Sequence, residues 1–156
     1  MASMVIAVVS AQTYTYLYLT GSITVITQKL VWIKDGLPIT GASVSINLIV
    51  EQNVPVNITN RLYLKNMDSA AHNLTITVTD TVGDNYEYCK IYIYKNVSNS
   101  WVHVATLDAE MNSQYSTYTA NDPIAAYPTG CFKFDFGINA TSSTGDNEFK
   151  LTVVYE

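Results

Sequence analysis

Hydrophobic and polar residues alternate along most of this chain with a period of two. In the segment 72–79, for example, Leu74, Ile76 and Val78 alternate with Thr75, Thr77 and Thr79. Such a period is typical of β-strands that bury one face. Similar alternation recurs in other segments, which are 13–19, 22–33, 43–52, 56–65, 87–95, 101–107, 131–139 and 148–155. About eight to ten such strands predict an all-β protein, an antiparallel β-sandwich of the immunoglobulin-like or jelly-roll-like kind.

Turn-forming sequences separate these segments. They contain glycine, proline, asparagine or aspartate and lie at 34–38, 66–69, 83–85 and 142–146, where such residues favour turns. The segment 108–128 is the one long irregular stretch, with a candidate short helix near 108–113. No linker or internal repeat divides the chain. We therefore expect one sandwich domain over residues 13–156, preceded by an N-terminal strand over residues 1–12.

The N-terminal segment is uncharged, since the first charged residue is Lys29. The small residues before Gln12 resemble a signal-peptide cleavage site, but no basic region precedes the apolar run. That run is also too short for a transmembrane helix, so we expect no membrane span in this sequence. A strand is the remaining interpretation. A free strand of this composition would aggregate, so we expect it to pair with a sheet of its own chain or of a neighbour.

Composition narrows the class of protein. Charged residues make up 13% of the chain, and the net charge is −5 with a single arginine. The chain is too apolar for a disordered protein, and poor in the residues that favour helical bundles. Nucleic-acid binding is also unexpected, because phosphate contacts need clustered lysine and arginine.

Two cysteines, Cys89 and Cys131, lie too far apart in sequence for a zinc signature. They could form one disulfide, or they could be two buried free thiols, and the spacing leaves both alternatives open. In the predicted strands Cys89 shares a face with Ile91 and Ile93, whereas Cys131 aligns with Lys133 and Asp135.

No catalytic or metal-binding motif stands out. The two histidines, His72 and His103, belong to no H-x-x-x-H pair or HExxH motif. We expect His72 at the start of a strand and His103 on a solvent face. Turn aspartates such as Asp84 could bind calcium, but ordinary turn chemistry explains them better. We therefore expect no enzyme activity, no metal and no cofactor.

Four N-x-S/T sequons favour an exported, glycosylated surface protein. The candidate acceptors are Asn57, Asn73, Asn96 and Asn139.

The order of these patterns resembles that of the TasA/camelysin-like β-sandwich proteins and their archaeal relatives, the bundling pilins. An uncharged N-terminal strand precedes the segment 16–25, which contains a glycine step. The segments 62–66 and 74–78 follow in the middle of the chain, and 132–136 and 149–154 near its end. The subunits of archaeal threads, which share the same assembly principle, are similar as well.

The resemblance implies a structural subunit of an extracellular, pilus-like filament at the cell surface. Its partners would be copies of itself in a helical homopolymer, with lateral bundling and roles in adhesion or biofilm. In such filaments the N-terminal strand of one subunit fills a groove in the next subunit's sandwich, which is called donor-strand complementation. The donor residues implied here are Ala2, Ser3, Met4, Val5, Ile6, Ala7, Val8, Val9, Ser10 and Ala11.

The alternative hypothesis is a monomeric secreted β-sandwich that serves as a binding or adhesion module. Its N-terminal strand would fold back on its own sheet. This alternative predicts a monodisperse protein with a concave patch of tyrosine and tryptophan.

Overall fold

The structure is a computed structural model, and it describes residues 16–25, 29–39, 43–110, 116–119, 123–126, 128–141 and 148–155. Within these residues the chain forms strands and no helix. The strands are β1 (Tyr16–Val25), β2 (Leu30–Lys34), β3 (Leu37–Ile39), β4 (Ser43–Glu51), β5 (Val56–Asn66), β6 (Leu74–Asp80), β7 (Tyr86–Val97), β8 (Ser100–Asp108), β9 (Thr117–Thr119), β10 (Cys131–Ala140) and β11 (Glu148–Tyr155). The predicted donor strand, residues 2–11, lies outside the described residues.

These strands form two sheets. The five-stranded sheet has the order β4-β1-β11-β6-β9, and the six-stranded sheet has the order β3-β2-β5-β10-β7-β8. Neighbouring strands are antiparallel except β1 and β11, which run parallel to each other in the middle of the five-stranded sheet. The prediction of an all-β sandwich is confirmed, with this one parallel pair as an exception to the antiparallel pattern.

Alternating positions of both sheets supply one hydrophobic core. Within the six-stranded sheet the Trp32 and Phe134 rings pack with centroids 5.5 Å apart. Between the sheets, Phe136 of β10 meets Phe149 of β11 at 6.0 Å. Burying a side chain of this size contributes about 1.5–3 kcal/mol, so the interlocked faces hold the sheets together.

The predicted separation of strands 13–19 and 22–33 at Gly21 is wrong, because β1 continues through Gly21 to Val25. Its bounds are those of the segment 16–25 that carries the resemblance. The glycine serves close packing instead: a Cβ at Gly21 would lie 2.5 Å from Cζ of Phe149. The predicted strand 22–33 accordingly contains the end of β1 and the first four residues of β2.

Two short strands were not predicted and bring the number within the described residues above ten. Residues 37–38 were expected in a turn, but they begin β3 after a tight turn at Asp35 and Gly36, whose φ angles are 50° and 82°. The other short strand, β9, lies within the stretch predicted as irregular. Residues 108–110 of the candidate helix are not helical, and the remainder of that helix lies outside the described residues.

Candidate functional site

Edge strands are the first candidate site, because their unpaired N–H and C=O groups can accept a further strand. Within the described residues, the five-stranded sheet ends at β4 and β9 and the six-stranded sheet at β3 and β8. Both β3 and β9 are three residues long. In addition, Pro38 removes one donor from β3. These two edges offer little to a partner strand.

The edge of β4 is protected by two cationic side chains. Lys34 Nζ donates to the carbonyl of Ser45 at 2.7 Å, and Arg61 Nη1 donates to the carbonyl of Asn47 at 3.2 Å. Asp35 fixes the arginine with two hydrogen bonds, at 2.7 and 2.9 Å. The hydrogen bond from Arg61 also holds the pKa of Asp35 below its usual range. Two carbonyls of this edge are therefore already occupied.

The edge of β8 differs from the other three. The strand contains no lysine, arginine or proline, and within the described residues it pairs on one side only, with β7. The pairing of β8 with β7 contains one β-bulge: Ile93 pairs with Ala105 and Tyr94 with His103, so Val104 has no partner residue on β7. Such a bulge is the one feature of this pairing that hinders addition of a further strand. Val97 at the end of β7 and Val102 on β8 are each 46% exposed. This edge is long and apolar.

The outer face of the six-stranded sheet holds a buried ion pair. Lys133 and Asp135 of β10 point away from the core, yet they are only 9% and 5% exposed. Their atoms Nζ and Oδ2 lie 2.8 Å apart. Asp135 Oδ1 also accepts the N–H of Asn60 at 3.0 Å, which fixes a bulge in β5 where Asn60 has a φ of 60°.

Aromatic rings cover this ion pair. Lys133 Nζ lies 4.4 Å from the ring centroid of Tyr94 and 5.7 Å from that of Trp101. The Trp101 ring in turn lies 5.8 Å from the ring of Tyr63, at an interplanar angle of 44°. The sequence pattern placed Lys133 and Asp135 on a polar face and missed their burial. The tyrosines at alternate positions of β7, beside β10, were the available signal.

A groove of about 950 Å³ opens beside these rings, at the end of the sheet where β7 turns into β8. Two residues of the turn, Ser98 and Asn99, have positive φ angles of 49° and 65°. The described lining includes Tyr63, Trp101, Lys65, Lys95, Asn99 and Thr129. The groove therefore combines aromatic faces, two cationic side chains and small polar groups.

The two cysteines are free, so the alternative of an intrachain disulfide is wrong. Cys89 faces the core and pairs with Ile138, whereas Cys131 precedes Phe132, which pairs with Lys95. Six residues of β7 separate these positions, or about 20 Å along a strand, whereas a disulfide needs Cα atoms within about 7 Å. Burial raises the pKa of Cys89 to about 12 and that of Cys131 to about 11, which makes both thiols unreactive at neutral pH.

The four sequons differ in accessibility. Asn57 and Asn73 are exposed, and Asn96 is half-buried with its Oδ1 accepting the N–H of Asn99. Asn139 is buried, and its Nδ2 donates to Glu87. A glycan at Asn139 would require that amide to leave its pocket. Glycosylation itself stays a prediction, and Asn57 and Asn73 are the positions best placed for it.

Both histidines have structural partners. His72 was predicted at the start of a strand and lies two residues before β6, where it forms an isolated bridge with Ile124. Its Nε2 lies 2.9 Å from Asp68 Oδ2. Lys29 Nζ contacts the same oxygen at 2.8 Å. The hydrogen bonds from Lys29 and His72 hold the pKa of Asp68 well below its usual range. His103 is exposed, as predicted, and its Nε2 lies 3.0 Å from Oγ1 of Thr106.

Among the described residues, no group of three or more histidine, cysteine or acidic side chains could hold a metal ion. Nor do those residues include a helix that is long and apolar enough to cross a membrane.

Over the residues that the structure describes, the chain is a two-sheet β-sandwich with one unprotected edge strand and an aromatic groove. Comparisons with protein-family models, with curated proteins and with solved structures give no match to it. The resemblance to the TasA/camelysin-like proteins stays a prediction.

Proposed function

We propose that the protein is a structural subunit of an extracellular filament, polymerised by insertion of the N-terminal strand of one copy beside a sheet of the next. The observation that carries this proposal is the edge of β8. Among the edge strands within the described residues, β8 alone is both long and unprotected. It is uncharged over most of its length, and no lysine, arginine or proline protects it. An edge of that kind is a template for pairing with another chain.

The two partners match in length and chemistry. The segment 2–11 is uncharged and apolar, and ten extended residues span about 33 Å. The acceptor strand Ser100–Asp108 has nine residues, so its length is similar. Backbone hydrogen bonds along the strand would supply affinity, and exposed Val97 and Val102 would supply apolar contact.

The position of the donor favours a chain of subunits over a closed dimer. The N-terminal segment leads into β1, in the middle of the five-stranded sheet, whereas β8 is an edge of the six-stranded sheet. Donor and acceptor are thus different surfaces, and a contact between different surfaces propagates head to tail. Export to the cell surface, lateral bundling and a role in adhesion or biofilm belong to the same proposal.

Negative-stain electron microscopy of three proteins tests it. The full chain should form filaments, whereas a version lacking residues 1–12 should not, because the donor is missing. Val102→Lys should also abolish filaments, because a lysine on an edge strand opposes strand addition. Val154→Lys is the matched control, since Val154 is 40% exposed but lies on β11, inside a sheet.

Circular dichroism would establish that each variant is folded. A full-length protein that stays monodisperse at high concentration would overturn the filament proposal and favour the monomeric binding module. If Val102→Lys forms filaments and the truncated protein does not, the N-terminal segment is still the donor, but β8 is not its acceptor.

A further inference from the structure

The groove beside Trp101 contains an aromatic ring that neighbouring side chains hold in a fixed orientation. Trp101 is 39% exposed, whereas Trp32 is fully buried. Tyr63 and Lys133 hold the Trp101 ring from the sheet side, and Lys133 is itself fixed by Asp135. A ring that is already oriented loses little conformational entropy when a ligand packs on it.

The described lining of the groove is cationic, whereas the molecule as a whole is anionic. The protein carries a net charge of −5. The described lining nevertheless includes Lys65 and Lys95, and none of its residues is acidic. Such a local reversal favours an anionic ligand.

The remaining lining groups suit a ligand rich in hydroxyls. Asn96, Asn99 and Thr129 present amide and hydroxyl groups, which exchange hydrogen bonds with sugar hydroxyls. The C–H face of a pyranose ring is apolar and packs on an aromatic ring. Open grooves with aromatic walls and a few polar groups are a common form of ligand site.

From these features we propose that the groove binds an acidic oligosaccharide, such as a short chain of uronate sugars. One pyranose would stack on Trp101 beside Tyr63, and the carboxylates would pair with Lys65 and Lys95. All these residues belong to one subunit, although Trp101 also lies on β8, the strand proposed to accept the donor. A single-stranded nucleic acid fits less well, because its phosphates need more cationic side chains than the groove holds.

Binding of trigalacturonate to the full chain tests the proposal. The protein is produced without N-glycosylation, so that Asn96 itself carries no sugar. We expect saturable quenching of tryptophan fluorescence, which reports Trp101 because Trp32 is fully buried. Affinity, measured by calorimetry, should fall as salt is raised, and neutral maltotriose should bind at least about tenfold more weakly.

Two sets of variants separate the stacking from the charge. Trp101→Ala should weaken trigalacturonate binding by about tenfold or more. The double variant Lys65→Gln with Lys95→Gln should weaken it similarly and remove its salt dependence. Val154→Ala, on the other sheet and with similar exposure, should bind like the unchanged protein.

Several results would overturn the inference. They are no binding at millimolar trigalacturonate, equal binding of maltotriose, unchanged affinity in Trp101→Ala, or tighter binding of an oligothymidylate. The last result would assign the groove to single-stranded nucleic acid.

Discussion

At the scale of single residues, two glycines are needed because aromatic rings lie directly over them. A Cβ at Gly21 would lie 2.5 Å from Phe149 Cζ, and a Cβ at Gly137 would lie 2.8 Å from Tyr92 Cε2. The surroundings differ, since Phe149 is fully buried in the core and Tyr92 is half-buried on the outer face. The same added methyl group should therefore have different consequences.

Gly21→Ala should lower the free energy of unfolding by about 1–3 kcal/mol, because the buried Phe149 ring has nowhere to move. Gly137→Ala should cost less, because Tyr92 can turn toward solvent. Chemical denaturation of both variants measures the difference. Phe149→Leu should partly rescue Gly21→Ala, and strictly additive effects in that double variant would contradict the ring contact as the cause.

Asp68 should make stability depend on pH. Its folded-state pKa lies below the unfolded value of about 4, so the folded protein binds this proton less tightly. The ionised carboxylate therefore stabilises the fold above the unfolded pKa, and this contribution is lost as the pH falls through the folded pKa. Asp35 and Asp80, whose pKa values are also lowered, act in the same direction.

Asp68→Asn should lower the melting temperature at pH 7 and flatten its decline below about pH 4. The effect should be specific, because Asp68 joins Lys29 and His72. Asp84→Asn is the control, an exposed turn aspartate. Thermal melts from pH 7 to pH 3 provide the measurement, and parallel curves for Asp68→Asn and the unchanged protein would contradict the assignment.

At the scale of elements, the edge strands differ in how well they are protected against pairing with another chain. Lys34 and Arg61 lie on β2 and β5 of the six-stranded sheet, yet they bond carbonyls of β4 in the other sheet. They thereby connect the sheets and occupy an edge that would otherwise accept a strand. The sequence of β8 contains no lysine, arginine or proline that could protect its edge.

Removing the side chains of Lys34 and Arg61 should expose the β4 edge. The double variant Lys34→Ala with Arg61→Ala should lose only about 1 kcal/mol of stability, because surface ion pairs contribute little. It should nevertheless associate more readily, since the carbonyls of Ser45 and Asn47 become available. Light scattering over time measures this association. Lys90→Ala, which breaks the surface pair with Asp108 but uncovers no edge carbonyl, should behave like the unchanged protein.

The strands themselves were largely predictable at this scale. Leu74, Ile76 and Val78 face the core as their alternation predicts, and the predicted strands 87–95 and 101–107 lie within β7 and β8. The error at Gly21 has a physical cause. A glycine that ends a strand and a glycine that admits a ring look identical in sequence, and Phe149, which distinguishes them, lies far along the chain.

At the scale of the whole molecule, the candidate sites were less predictable than the fold. The alternative hypothesis of a binding module predicted a concave patch of tyrosine and tryptophan, but not that Trp101, Tyr63 and Lys65 would border one groove. The free state of Cys89 and Cys131 likewise follows from strand order and register, which place them far apart and on opposite faces.

By itself, the sequence determined most of the long strands and the side chains that they turn toward the core, because alternation and turn chemistry are local properties of the chain. It also determined the low charge and the uncharged N-terminus on which the filament proposal depends. Only the tertiary structure decided that β1 runs parallel to β11. It also decided that Lys34 and Arg61 donate hydrogen bonds to the edge of β4, and that aromatic rings bury the Lys133–Asp135 pair. These features depend on contacts between residues that are distant in sequence, and alternation within one strand carries no information about which strand lies beside it.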